Sequence, residues 1–202
     1  MPGRVFLTTP IARIAAWMDA DPGGLDEPPR TNIAPGEEIV VCGADRRLSR
    51  MRWGMIPVGR VNARGRPVME TIINARSETV FDKSAFQGVT RALVPVDGWY
   101  EWTGERRRKT AWRLSAADGE PLAFAAISDL WRGTTGREVA QVATVTCPPN
   151  AEVAKIHHRM GVLLRPEAFR TWLTGSDDEA RALCRPFRDG GIRIEAVPDP
   201  GG

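Results

Sequence analysis

The apolar residues of this chain fall in short runs, and that brevity constrains the fold more than any other feature. Segments 38–42 (EIVVC), 92–96 (ALVPV), 98–103 (GWYEWT), 122–127 (LAFAAI) and 139–146 (VAQVATVT) are strand-like and separated by turn formers. Strands of the same kind are expected at 4–9, 47–53 and 110–115. Helices are expected at 10–19, with proline in the first turn, and at 82–88, 149–156, 166–174 and 177–184. The last opens on Asp177, Asp178 and Glu179, acids that suit the positive end of a helix dipole. Many short strands with a few helices around them predict an α+β domain. That domain is expected over 1–190, and the Gly- and Pro-containing tail 191–202 is expected to end loosely.

With 202 residues, 42% of them apolar, the chain can bury one substantial core. Its formal charge is +3, and lysine occurs only at Lys83, Lys109 and Lys155, so arginine carries nearly all the positive charge. The planar arginine fork suits phosphate better than a lysine point charge does. A solvated, arginine-biased surface would have the same composition. The three cysteines, Cys42, Cys147 and Cys184, lack metal-type spacing and argue against a disulfide framework. Only two histidines occur, His157 and His158, too few to complete a zinc site, so no metal or other cofactor is expected. No apolar run reaches the ~18 residues of a membrane span, and the start lacks a signal-peptide core. A cytoplasmic protein is expected.

Four stretches carry residues capable of chemistry. Pro2 follows the initiator methionine; removal of Met1 would expose a secondary amine, and N-terminal amines are nucleophilic near neutral pH because their pKa is about 7.7–8.0. Pro2 is otherwise an ordinary second residue. In Ile73–Thr79, Asn74 and Arg76 stand two apart, so on a strand they share one face and can hold a phosphate or a sugar oxygen. Read structurally, Arg76 and Glu78 form a surface ion pair. In Asp97–Trp102, Glu101 lies between aromatics; desolvation would raise its pKa and suit it to acid–base work. The alternative is an aromatic core strand with Glu101 exposed. In Ile156–Met160, the adjacent histidines are expected to point apart, one of them at most facing a site, where it would shuttle protons.

Taken in order, these stretches resemble the SRAP (SOS response-associated peptidase) family, whose members open with Met-Cys-Gly-Arg. The family also carries an Asn-Ala-Arg-x-Glu-Thr motif, a Pro-x-Asp-Gly-aromatic-aromatic-Glu-Trp motif and an Ile-His-x-Arg segment. Here these read Met1–Arg4, Asn74–Thr79, Pro95–Trp102 and Ile156–Gly161. Supporting matches are Asn32–Pro35, Arg52–Pro57, Ala125–Ile127 with Trp131, Thr144–Thr146 and Thr171–Leu173. The resemblance implies a single domain around a β-barrel-like sheet, with a basic groove for single-stranded DNA. It implies sensing of abasic sites through a thiazolidine between the N-terminal cysteine and the sugar aldehyde. Carried over residue by residue, Asn74 and Arg76 would hold the lesion and its phosphates. Arg4 and Trp102 would line the DNA path, Glu101 would sit beside the reacting amine, and His157 would shuttle protons. Thr146 would support them from behind. His158 falls at the variable position of its motif.

Three departures accompany the resemblance. Pro2 stands where the family has its cysteine, so no thiazolidine can form there. Val58-Gly59-Arg60 replaces a tryptophan-bearing loop, and Gly161 replaces a proline. A processed Pro2 would instead condense with the aldehyde to an iminium, favouring β-elimination with Glu101 or His157 as base, or a reversible cross-link. The rival expectation is a binder of single-stranded DNA that has lost its nucleophile; a self-processing peptidase ranks third. The expected partner is single-stranded DNA containing abasic sites, bound by a nucleoid-associated monomer in the DNA damage response.

Overall fold

The computed structural model describes residues 3–56, 71–105, 108–133 and 136–200. In chain order these form β1 (Arg4–Leu7), α1 (Ile11–Met18), β2 (Arg30–Ile33), β3 (Glu38–Cys42), β4 (Leu48–Trp53) and β5 (Asn74–Arg76). There follow β6 (Thr90–Val96), β7 (Gly98–Thr103), β8 (Thr110–Ala116), β9 (Leu122–Arg132) and β10 (Glu138–Cys147). The chain ends with β11 (Met160–Gly161), β12 (Leu163–Leu164), α2 (Pro166–Thr174), α3 (Asp177–Leu183) and β13 (Ile192–Val197). The expected α+β class is the one observed.

Five strands close into a ring. β10 pairs with β4, β4 with β3, β3 with β6, β6 with β9, and β9 returns to β10. Closure removes exposed strand edges, and it explains why Leu122–Ile127 and Val142–Cys147 are buried almost without interruption. Trp172 of α2 covers the outside of the ring, where its indole donates to the Ala92 carbonyl of β6 at 2.8 Å. β5 adds to the ring in parallel beside β10.

A second sheet runs in the order β13-β8-β7-β1-β2. It joins the ring at the turn between β6 and β7, which is the single residue Asp97. Both oxygens of the Asp97 carboxylate are used. They accept from the backbone N–H groups of Thr8 (2.6 Å) and Thr9 (2.8 Å) and from both threonine hydroxyls (2.7 Å each). Gly98 follows because a Cβ there would lie 2.0 Å from the Leu114 carbonyl and 2.6 Å from the Phe6 ring. Asp97 and Gly98 thus fix the end of β1 and let β7 pass close to it. Their register sets Arg4 opposite Tyr100 and Phe6 opposite Gly98.

Several local expectations change. The expected helices at 82–88 and 149–156 contain only single 3-10 turns, Ser84–Phe86 and Val153–Lys155. The expected loose tail 191–202 contains β13, which pairs with β8 from Ile192–Ala116 to Val197–Ala111. Its pairing partner lies far away in sequence, so local composition hides it. Among the described residues, no helix is long and apolar enough to cross a membrane.

Candidate functional site

β7 divides its functional side chains between two faces, because successive strand residues point in opposite directions. Trp99 and Glu101 face inward, and Glu101 is only 4% exposed. Burial pushes its carboxyl up to about 7. Of the two readings of this strand, the desolvated carboxyl is the one observed, and the exposed Glu101 is corrected. The barrel makes the difference, because it covers a face that an isolated strand would leave open.

On the opposite face stand Tyr100 and Trp102, with Arg4 opposite Tyr100. The Tyr100 ring lies between Phe6 (5.2 Å) and Trp102 (6.4 Å). Arg4 donates to Asn32 Oδ1 at 3.0 Å, and Asn32 donates to the Pro200 carbonyl at 2.5 Å. The Trp102 indole donates to Asp199 Oδ1 at 3.1 Å. Arg4 and Trp102 therefore share an aromatic and cationic face, and the chain after β13 returns across it.

A second cluster forms where β5 lies beside β10. The parallel register places Asn74 opposite Thr144 and Arg76 opposite Thr146. Thr144 Oγ1 donates to Asn74 Oδ1 at 2.5 Å, which orients the amide. Arg76 is exposed at the end of this strand pair. Thr146 is fully buried; its hydroxyl donates to the Ala75 carbonyl at 3.2 Å and accepts from Arg159 at 3.2 Å. Arg159 also donates to the Thr146 carbonyl at 2.6 Å and grips both carboxylate oxygens of Glu78. That grip holds the Glu78 carboxyl down at about 2.

His157 joins this cluster through Arg159. Its Nδ1 lies 3.0 Å from the Arg159 N–H and 3.1 Å from the Arg159 carbonyl. Burial lowers the pKa of its ring below the ordinary histidine value. The two histidine rings do not point apart, as expected, but stack at 4.3 Å. They sit in a bend rather than a strand, so the alternation of faces does not apply. The β7 face and the His157 segment meet across the core. Trp99 packs edge-on against Phe124 at 5.7 Å, and a Cβ on Gly161 would come 2.1 Å from the Phe124 ring. Phe124 thus takes the space of the side chain that Gly161 lacks.

Pro2 and Val58-Gly59-Arg60 lie outside the described residues. Asp97, Thr144 and Arg159 occur in the motif stretches without an assigned role, and the hydrogen bonds supply one; Glu78, read as an ion-pair partner of Arg76, is held by Arg159. The available signal is a polar or charged residue at a motif position. Burial raises the thiols of Cys147 to about 12 and of Cys42 and Cys184 to about 11, so all three stay protonated and inert at neutral pH. Among the described residues, no group of three or more His, Cys, Asp or Glu side chains converges on a metal-sized site.

Residues 1–199 match the model of a protein family described as SOS response associated peptidase (SRAP). The chain is 30% identical over 169 residues to the abasic site processing protein YoqW of Bacillus subtilis (strain 168), covering 79% of this chain and 74% of that protein. It is 31% identical over 154 residues to the abasic site processing protein YedK of Escherichia coli (strain K12), covering 71% and 64%. A solved structure of a Bordetella bronchiseptica protein has the same fold, with a TM-score of 0.82 at 23% identity, covering 97% of this chain and 99% of that one.

Proposed function

Because the chain belongs to the SRAP family, we propose that it processes abasic sites in single-stranded DNA, reacting with the opened sugar through the amine of a processed Pro2. The names of its relatives, abasic site processing proteins, support the lesion as substrate. The observation that carries the reading is Glu101, a buried carboxyl held at about 7 on the strand that receives β1. A group titrating there can take and return a proton at neutral pH. The pairing of β1 with β7, Phe6 opposite Gly98 and Arg4 opposite Tyr100, supports this reading.

In this mechanism the Pro2 nitrogen adds to the aldehyde and expels water, leaving an iminium. The iminium acidifies the C2′ proton, which passes to Glu101 or His157. Its electron pair forms the C2′–C3′ double bond as the 3′ phosphate departs. Water then hydrolyses the iminium and restores the amine. Without a thiol to close a second ring, the adduct is reversible. Asn74 and Arg76 hold the sugar and its phosphate, while Arg4 and Trp102 guide the strand.

The test is borohydride trapping on an abasic single-stranded oligonucleotide. A covalent band is expected with the processed terminus and none when Met1 is retained or the amine is acetylated. Equal trapping with a blocked terminus would overturn the Pro2 mechanism and shift attention to lysines such as Lys109. Salt-sensitive binding with no trapped species would support a binder, the reading favoured by the missing cysteine.

A further inference from the structure

Arg159 is engaged at both ends. Its guanidinium, with the side chain 11% exposed, bridges Glu78, the Thr146 carbonyl and the Thr146 hydroxyl. Its peptide groups bracket His157 Nδ1 at 3.0 Å from the N–H and 3.1 Å from the carbonyl. Ordinary imidazole nitrogens have one partner, suited to one protonation state. Here one residue offers a donor to the bare nitrogen and an acceptor to the protonated one, separated by a small tilt of the ring.

We infer that Arg159, locked by Glu78, is the positioning residue of His157: its peptide satisfies Nδ1 in either protonation state and commits Nε2 to proton exchange with substrate. The neutral ring has two tautomers: with its proton on Nε2, Nδ1 accepts from the Arg159 N–H. When Nδ1 carries a proton, it donates to the Arg159 carbonyl. Nε2, bare in that second tautomer, takes a proton from the substrate to give the imidazolium and returns it to the departing oxygen. The Glu78–Arg159 pair acts at a distance from the reacting atoms, by fixing where the Arg159 peptide lies. Thr146 holds the same guanidinium from β10, which connects the bracket to the strand carrying Asn74 and Arg76. The inference rests on the reading of His157 as a proton shuttle, but its first test needs no DNA.

With only two histidines in the chain, nitrogen-15 spectra of the imidazoles are readily assigned, and His158 serves as an internal control. At neutral pH the wild-type protein is expected to show a scalar coupling across the hydrogen bond from His157 Nδ1–H to the Arg159 carbonyl, with Nε2 unprotonated. Glu78→Ala should abolish this coupling, and Glu78→Gln, which keeps an acceptor, should restore much of it. On abasic single-stranded DNA, Glu78→Ala should slow the covalent step at least about tenfold, a fraction of the ~10²–10⁴ that a proton-transfer group contributes. Affinity should change by less than about threefold, which a general loss of structure would not spare. Absence of the coupling in the wild type, or its survival in Glu78→Ala, overturns the inference. If no adduct forms at all, the proposed reaction fails, while the coupling still decides whether the bracket exists.

Discussion

Gly161 and Phe124 share one volume: a Cβ on residue 161 would lie 2.1 Å from the Phe124 ring. The pair is a local solution to the absence of the proline that the family motif carries, and it presses Phe124 against Trp99, on the same face as Glu101. Gly161→Ala is expected to cost at least about 1–3 kcal/mol, the usual penalty for overpacking. Phe124→Ala should relieve part of that penalty, so the double variant should be more stable than the sum of the singles. Additive losses in denaturant unfolding would show that the two residues do not compete for space.

The pH dependence of stability follows from Glu101. Its carboxyl titrates at about 7 in the folded chain against an ordinary value of 4.5, so the folded state binds the proton more tightly than the unfolded one. Stability from this group is therefore fully present below pH ~4.5 and lost as pH rises through about 7. The difference is about 3 kcal/mol. Glu101→Gln should flatten that slope, with a melting temperature that gains on the wild type between pH 5 and 8. The same substitution should remove a step near pH 7 from the rate of covalent trapping. A trapping profile unchanged by Glu101→Gln would exclude this residue as the base.

Asp97 holds β1 against the β6–β7 corner through four hydrogen bonds to Thr8 and Thr9. Asp97→Ala should destabilise the fold by about 2–3 kcal/mol, given partial exposure of the bonds. Hydrogen exchange should show the loss concentrated in β1. Uniform loosening across the barrel would contradict a local anchoring role.

Trp102→Ala should weaken binding of single-stranded DNA by ~1–3 kcal/mol if a base stacks on the indole. Arg76→Ala should lower the slope of log affinity against log salt by about one unit, the mark of a single phosphate contact. Fluorescence anisotropy across a salt series measures both. A salt slope that Arg76→Ala leaves intact would remove Arg76 from the phosphate path.

Elements are legible in the sequence where short-range patterns decide the outcome. Segments 38–42, 98–103 and 166–174 become β3, β7 and α2 without change of boundary, since each is an apolar run closed off by turn or capping residues. Legibility fails where a partner lies far away. β2 and β13 are polar or flanked by glycine and proline, and they are strands because β1 and β8 offer free edges. The closure of the ring through β9 and β10 has no local signature either. For the candidate site, residue types and order picked out Asn74, Arg76, Glu101 and His157. What they could not show was burial: whether Glu101 faces water or core depends on a barrel that single strands do not reveal.

The chain that returns over Arg4 and Trp102 makes that face a competitive one. A ligand reaching the Trp102 indole must displace Asp199, and one reaching Asn32 must displace the Pro200 carbonyl. Two hydrogen bonds worth ~0.5–1.5 kcal/mol each impose a discount of about 5–150-fold on every visitor alike. Such a discount leaves the ranking of ligands intact but raises the threshold for occupancy, so only visitors with additional anchorage remain.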